Sequence, residues 1–289
     1  MTENKKVLFV VNPISGGKSK EAALELLNTA LDGQITYTVV ESERANHATE
    51  LAKEAILNGY DAVIAVGGDG TVNEIGKALV NSTVALGVIP FGSGNGFARH
   101  RKIPIAIKDA IEVINRFSTK IVDTATLNGE VFLTTAGLGF DAHVGWKFSE
   151  SRSRGFLTYS QIAINEFIGY KEEDYHLIID GKELKTKAFV VSIANGGQYG
   201  NNAWIAPEAS MEDGKLNVCI IKPFPAHVTP DIVLKLFSKK LTASKYYESF
   251  EAEKIQIIKA GKFHLDGEPR ETDGDLVIQI VPKSLKVIC

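Results

Sequence analysis

Three times within the first hundred residues, a short run of apolar, largely β-branched residues stops on a glycine-rich turn. Val7 to Val11 leads into Asn12-Pro13-Ile14-Ser15-Gly16-Gly17-Lys18, Ala62 to Val66 into Gly67-Gly68-Asp69-Gly70-Thr71, and Ala85 to Ile89 into Pro90-Phe91-Gly92-Ser93-Gly94-Asn95. Helix patterns lie between them. Ser19 to Leu31 is rich in Ala, Leu, Glu and Lys and stops at Gly33, while Ala48, Leu51, Ala52, Ala55 and Ile56 share one helical face that ends at Asn58-Gly59. A short helix is expected from Thr71 to Val80, and a further strand at Tyr37 to Val40. Strands apolar on both faces and alternating with helices imply a parallel sheet covered on both sides. All three turns then fall on the carboxyl edge of that sheet, where open α/β folds hold ligands. Glycine lets backbone N–H groups approach phosphate oxygens there, and a following helix adds its positive end. Three such turns on one edge predict a polyphosphate site.

From about Ile121 the texture changes. Asn128-Gly129 and Asp180-Gly181 are hairpin signals, the first joining Ile121 to Leu127 with Val131 to Thr135, the second joining Tyr175 to Ile179 with Phe189 to Ile193. Further strands are expected at Leu216 to Ile221, Ile255 to Ile258 and Leu276 to Val281, with helices only at Thr158 to Tyr170 and Pro230 to Leu241. The second half therefore reads as a mostly antiparallel β domain, with a boundary near residues 117 to 128.

Composition narrows the function. A net charge of −3 and a pI near 6.1 give no bulk attraction to phosphate polymers, so a dedicated nucleic-acid binder is disfavoured. Two cysteines, Cys219 and Cys289, cannot build a disulfide framework or a four-ligand zinc site and read as a reduced, cytoplasmic protein. Val7 to Val11 is too short for a signal-peptide core, so no export is expected. The uncharged stretch Ala78 to Ala98 carries Pro90 and several glycines, which disqualifies it as a membrane span. His47, His100, His143, His176, His227 and His264 show no metal-ligand spacing and are expected in structural or surface roles.

Two nucleotide motifs nearly match and fail. Gly17-Lys18-Ser19 resembles the end of a P-loop, but Asn12 stands where that motif needs glycine. Gly137-Leu138-Gly139-Phe140-Asp141-Ala142 satisfies a relaxed dinucleotide fingerprint, yet no helix pattern is seen to follow it, so a strand crossing with close backbone packing is expected. Asp69 is the informative residue of its loop: a carboxylate beside phosphate-binding turns is repelled unless a cation, most simply magnesium carried with ATP, sits between them. The plain alternative is an N-cap for a helix starting at Thr71. Asn73 and Glu74 could orient the loop or the nucleotide, or be ordinary polar helix residues.

Taken together, Asn12-Pro13 with Ser15-Gly16, Gly67-Gly68-Asp69-Gly70-Thr71 with Asn73-Glu74, Gly92-Ser93-Gly94-Asn95 with Phe97-Ala98, and Asp266-Gly267-Glu268 resemble the diacylglycerol kinase catalytic-domain family, which includes bacterial lipid kinases and sphingosine kinases. The Ala136-Gly137-Leu138-Gly139-Phe140-Asp141 strand and the Asp213-Gly214-Lys215-Leu216 turn extend the match over almost the whole chain. The resemblance implies a NAD kinase/diacylglycerol kinase-like two-domain fold: an N-terminal α/β nucleotide-binding domain, residues 1–122 joined by 284–289, and a C-terminal β-sandwich lipid-binding domain, residues 123–283, with ATP held between them. It implies an ATP- and magnesium-dependent kinase of a lipid hydroxyl. Asn12, Pro13, Ile14, Ser15 and Gly16, then Gly67, Gly68, Asp69, Gly70, Thr71, Asn73 and Glu74, then Gly92, Ser93, Gly94 and Asn95, fall on its nucleotide loops, with Ser42 a further ATP contact. Asp69 and Asp123 match acidic residues of the catalytic magnesium network, to which Thr71 also belongs, and Glu268 matches the general base. Asp213, with carbonyls near Ser210 and Lys215, matches a structural metal site of bacterial members.

One loop departs from the pattern of many bacterial members, in which Asp follows Asn; here Gly96 follows Asn95, closer to the sphingosine and ceramide kinase branch. A sphingoid base therefore rivals diacylglycerol as acceptor. Trp146 to Tyr170, with Lys147, Arg152 and Arg154 among Phe148, Phe156, Leu157, Tyr159, Ile162, Ile164, Phe167 and Ile168, reads either as a lipid-entry helix on an anionic membrane surface or as a helix packed on the β domain. The reading is a cytoplasmic enzyme, peripheral on the inner face of the membrane, with a lipid substrate and room for a homodimer. NAD kinase and a catalytically silent nucleotide- or lipid-binding regulator are the remaining alternatives.

Overall fold

The computed structural model describes residues 4–13, 21–151, 155–167 and 169–289. Ile14, Ser15 and Gly16 of the first glycine-rich turn, and Arg152, Arg154 and Ile168 of the mixed basic and apolar stretch, lie outside the described residues. The chain divides into two units, Met1–Val122 with Lys283–Cys289, and Asp123–Pro282.

The first unit alternates strand and helix: β1 Lys5–Val11, α1 Glu21–Ala30, β2 Ile35–Glu41, α2 His47–Leu57, β3 Ala62–Gly67, α3 Asp69–Leu79, β4 Ala85–Pro90, α4 Gly96–His100 and α5 Ile107–Arg116. The strands run parallel in the order β2-β1-β3-β4, and Val287 near the end of the chain pairs with Leu86. Every residue of β3 and β4 is buried, as a sheet covered on both faces requires. On one face Leu27 of α1 packs with Ala110, Ile111, Val113 and Ile114 of α5 against Phe9, Ile64 and Ile89. The Asn115 side chain ties these helices together, donating to the Ala30 carbonyl at 2.8 Å and accepting from the Asp32 amide at 2.9 Å. Helix α2 ends where the sequence says it should. The Asn58 amide returns to the Glu54 carbonyl, and Gly59 takes the left-handed conformation with φ 66°.

Two findings in this unit differ from the sequence reading. Helix α3 begins at Asp69, two residues before Thr71, with extended Gly68 as its flanking residue. An Asp-Gly pair reads as a turn in sequence, but here it forms the first helical residues, so Asp69 is not the N-cap. Helices α4 and α5 are additions to the elements expected from sequence, although the buried residues of α5 lie on one face.

The second unit contains β5 Thr119–Leu127, which enters it from the first, β6 Glu130–Phe132, β7 Thr135–Gly139, α6 Phe140–Glu150, α7 Phe156–Phe167, β8 Glu173–Ile179, β9 Lys182–Ala188, β10 Val190–Ala194, β11 Gln198–Gly200, β12 Ala203–Trp204, β13 Leu216–Ile221, α8 Thr229–Phe237, β14 Tyr247–Ala252, β15 Lys254–Ile257, β16 Gly261–Leu265, β17 Glu268–Thr272 and the start of β18 Leu276–Ile288. One antiparallel sheet has the order β14-β13-β10-β7-β16-β17. Strands β18, β15, β8 and β9 form a second run, also antiparallel. The two sheets close on a shared core in which Leu138, Val191, Ile193, Val218 and Leu265 meet Leu177, Ile255, Ile257, Ile278 and Phe132. This is a β-sandwich. Strands β7, β10 and β13 are buried on both faces, because Ile205, Ile232 and Tyr247 cover their outer side with Cys219 and Val190.

The Asp180-Gly181 hairpin joins β8 to β9, not to Phe189–Ile193 as the apolar run suggested. Its second strand carries exposed lysines and glutamate, a pattern set by one wet face, while Val190–Ala194 is central in the other sheet. A helix, α6, does follow Gly137-Leu138-Gly139 at once. Strand β7 nevertheless pairs antiparallel with β10 and β16, so the segment lacks the βαβ setting of a dinucleotide fold.

Candidate active site

In the first unit the chain goes from β1 outward to β2, then returns past β1 to β3. The strand order reverses between β1 and β3, and the crevice outside the carboxyl ends at such a reversal is where open α/β sheets take ligands. Asn12 and Pro13 leave β1 at this point, and Gly67, Gly68 and Asp69 leave β3. Register places Val11 beside both Glu41 and Val66, and Gly67 beside Pro90. Ser42, Asn12, Gly67 and Phe91 therefore follow one another along the edge. Hydrogen bonds fasten the row: Ser42 N to Val11 O at 2.8 Å, Asn12 N to Val66 O at 3.1 Å, and Phe91 N to Gly67 O at 2.8 Å.

The side chains of these turns bind one another closely. Asn12 Nδ2 donates to Thr71 Oγ1 at 3.1 Å. Asn95, in the left-handed region at φ 53°, closes its own loop by accepting from Gly92 N at 2.9 Å and donating to Gly92 O at 2.7 Å. A Cβ on Gly92 would lie 2.6 Å from the Gly68 Cα, so glycine lets the second and third turns touch backbone to backbone. Gly70 has no such reason. A Cβ there would meet nothing within 4 Å among the described residues, its φ is not left-handed, and it sits in a helix, where glycine costs about 0.5–1 kcal/mol relative to alanine. Nothing among the described residues requires glycine at position 70.

Asp69 is half-buried on the first turn of α3, with Oδ1 3.4 Å from Phe97 N. The opening amides of any helix lack intrahelical acceptors, which makes this end a donor site for anions. Asn73 is buried and its Oδ1 has no hydrogen-bond partner among the described residues. Glu74 caps the N-terminus of α2, where Oε2 accepts from Ala48 N at 3.2 Å and the Glu74 carbonyl accepts from Thr49 Oγ1 at 3.0 Å. Ser93 is exposed on the third turn.

The second unit gathers the remaining candidates into one hydrogen-bonded network. Asp123 is 2% exposed; its Oδ2 accepts from Gly214 N at 2.7 Å and its amide donates to Met211 O at 2.7 Å. This carboxylate thus anchors the turn that holds Ser210, Asp213 and Lys215. Within the turn, Ser210 Oγ accepts from Glu212 N at 3.1 Å and Asp213 Oδ1 from Lys215 N at 3.0 Å. Carboxylate and carbonyl oxygens are hard donors suited to magnesium or calcium. Among the described residues, no group of three or more His, Cys, Asp or Glu is placed to hold a metal by side chains alone.

Asp266-Gly267 is a two-residue hairpin with φ 49° and 86°, the type I′ form, between β16 and β17. The Asp266 carboxylate accepts from Leu133 N and Thr134 N at 2.8 Å, Thr134 Oγ1 at 2.6 Å and Thr135 N at 3.1 Å. Asn195, fully buried, links that segment to Asp123 by donating from Nδ2 to the Leu133 and Asp123 carbonyls at 2.7 and 2.9 Å. No sequence spacing ties Asn195 to residues 123 and 266. Glu268 is exposed, 3.0 Å from Arg270 Nη2. Beneath the hairpin, Asp141 and His264 are buried with the half-buried Tyr199 alongside, a cluster in which the Ala136–Asp141 motif marks Asp141 but no spacing ties it to His264 or Tyr199.

The diacylglycerol kinase catalytic domain family matches residues 6–127, and the YegS C-terminal NAD kinase beta sandwich-like domain matches residues 134–289. A Bacillus subtilis protein named Diacylglycerol kinase is 31% identical over 226 residues, 75% of this chain and 74% of the relative. A Pseudomonas aeruginosa protein named Probable lipid kinase YegS-like is 25% identical over 98% of this chain and 93% of its own length. In fold, the chain is similar to the crystal structure of a diacylglycerol kinase from Bacillus anthracis (TM-score 0.76, 24% identity, covering 100% of this chain and 98% of that one). It is more distantly similar to an NAD kinase from Archaeoglobus fulgidus in complex with ATP (TM-score 0.51, 15% identity, 98% and 93%). A two-domain α/β and β-sandwich chain with glycine-rich turns at a strand-order reversal thus belongs to the diacylglycerol kinase catalytic-domain family, with a YegS-type C-terminal domain.

Proposed function

We propose that this chain transfers the γ-phosphate of ATP to the hydroxyl of a diacylglycerol-like lipid. Gly70 carries the reading, a helix glycine with no described residue within 4 Å of where its side chain would start, at the end of α3 that attracts anions. Backbone amides of Gly68 to Thr71 and of Ser93 to Asn95 would cradle the phosphates, with Asn12, Pro13, Gly67 and Gly92 shaping the turns that present them. Ser42 and Asn73 would add contacts from the same edge, with Ile14, Ser15 and Gly16 completing the first turn. Asp69 and Asp123 would hold magnesium, which neutralises charge on the transferring phosphoryl group. The Asp213 turn, with the Ser210 and Lys215 carbonyls, would hold a structural cation. Glu268 would accept the proton of the acceptor hydroxyl as that oxygen forms its bond to phosphorus, a role that needs an accessible carboxylate.

The acceptor lies in a bilayer, and the protein would reach it as a peripheral protein at the cytoplasmic face. No helix among the described residues is long and apolar enough to cross a membrane. Leu157 and Ile164, seven positions apart and so on one face of α7, are 85% and 65% exposed, which supports contact with lipid. A sphingoid base is the second reading, favoured by Gly96, which opens α4 with no carboxylate beside Asn95.

Radiolabelled ATP with extracted lipids tests the proposal. A labelled glycerolipid is expected, and competition with a sphingoid base separates the two acceptors. Glu268→Gln should lower turnover at least about 10²-fold with ATP binding intact. Near wild-type turnover in that variant removes Glu268 as base. Label on NAD would identify an NAD kinase, and no label on any lipid would leave a binding protein.

A further inference from the structure

We infer that His264, oriented by Asp141, is a positioning residue for the Glu268 hairpin; this rests on the proposed role of Glu268 as base. His264 lies on β16 between Phe263 and Leu265, which both face the sandwich core, so its ring emerges on the opposite side of the sheet. It is 4% exposed and Asp141 9%, a costly burial of ionisable groups unless they are partnered. They partner each other. His264 Nε2 is 3.2 Å from Asp141 Oδ2, which also accepts from the Tyr199 hydroxyl at 2.7 Å, while Asp141 Oδ1 accepts from Ala142 N at 2.7 Å. Burial, with the Asp141 carboxylate alongside, pushes the Tyr199 hydroxyl well above its ordinary range, so it stays a donor.

The other ring nitrogen reaches the turn. Gly267 N donates to His264 Nδ1 at 3.3 Å. Nδ1 must therefore be the acceptor, and Nε2 carries the hydrogen directed at Asp141. Asp141 selects the tautomer that can receive the Gly267 amide. The hairpin is thus held at both loop residues, Asp266 by the 133–135 backbone and Gly267 by His264, immediately before Glu268. Gly137 makes the arrangement possible. It faces His264 across the β7–β16 ladder, and a Cβ there would lie 2.3 Å from Asp141 Oδ2 and 2.5 Å from His264 Nε2. The glycine that completes a false dinucleotide fingerprint is the space in which Asp141 meets His264.

The test is steady-state kinetics of the full chain with a lipid acceptor, for His264→Leu, His264→Asn and His264→Gln, each alone and combined with Glu268→Gln. Displacing a reacting group by about 1 Å costs on the order of 10²-fold, so His264→Leu should lower kcat about 10- to 100-fold with KM for ATP nearly unchanged. His264→Asn, whose Oδ1 can accept from Gly267 in place of Nδ1, should retain more activity than His264→Gln, which replaces only the donor to Asp141. A merely structural histidine would show no such order. Combined with Glu268→Gln, the His264 substitutions should cost nothing further. Wild-type kcat in His264→Leu, or full additivity with Glu268→Gln, overturns the inference while leaving Glu268 as base. Glu268→Gln with near wild-type turnover removes the base reading first, and the inference with it. If His264→Leu does not fold, the Asn and Gln pair decides by the same comparison.

Discussion

Replacing Gly70 by alanine should strengthen the fold and weaken the enzyme. Gly70 is helical, its φ suits any residue, and the added methyl would touch nothing within 4 Å among the described residues. Alanine therefore removes unfolded-chain entropy without strain, a gain of about 0.5–1 kcal/mol in a helix interior. At the second position of α3 the lower figure applies, about 0.5 kcal/mol, which raises the melting midpoint by about 1–2 °C for a domain of this size. On the proposed function, the same methyl would intrude on the space that a phosphate takes at this helix end. A shift of the phosphoryl group by about 1 Å should lower kcat/KM on the order of 10²-fold. Thermal unfolding without ligand, ATP titration and lipid phosphorylation read the three quantities separately. Unchanged ATP affinity and turnover in Gly70→Ala would refute the assignment of this helix end to nucleotide. A lower melting midpoint would refute the claim that the fold leaves Gly70 unconstrained.

Asp266→Ala strands four donors of the 133–135 segment and should cost about 2–3 kcal/mol in urea unfolding; a change below about 0.5 kcal/mol would show that the clamp is idle. Burial pushes the Cys219 thiol up from 9.0 to about 12, and the Tyr175 and Tyr247 hydroxyls above 10.0. The unfolded chain then releases these protons first and binds fewer protons than the folded one above about pH 9, so the folded state loses on linkage and stability should fall as pH rises from about 9 to 12. A flat urea midpoint over that range would contradict it, and native alkylation at pH 8 should label Cys289 but not Cys219. Leu157→Asp with Ile164→Asp should reduce sedimentation with anionic vesicles, and unchanged binding would remove α7 from the membrane contact.

The α/β half is legible because its signals are local. Buried parallel strands are apolar throughout, as in Ala62–Gly67, and the helix stop at Asn58-Gly59 is written in two residues. The β half is legible only at its turns. Asn128-Gly129 and Asp180-Gly181 are both hairpins, but pairing across Asp180-Gly181 goes to the charged strand Lys182–Ala188, because alternation with one wet face is a weaker signal than an apolar run. Asp69-Gly70 reads as a turn because both residues disfavour helix interiors; the flanking Gly68 and the packing of Val72 and Ile75 carry the helix back over them.

By itself the sequence determined where the glycine-rich turns fall, among them Gly92, where two turns meet backbone to backbone, and which carboxylates stand beside them. Periodicity and turn residues act over a few positions, so they can be read one segment at a time. Only the tertiary structure decided that β1 and β3 flank the strand-order reversal, that Glu74 caps α2, and that Asp123, Asn195, Asp266, Asp141 and His264 work as connected groups. Those relations join residues dozens to more than a hundred positions apart. They depend on sheet order and on which face of a strand is covered, which no local pattern encodes.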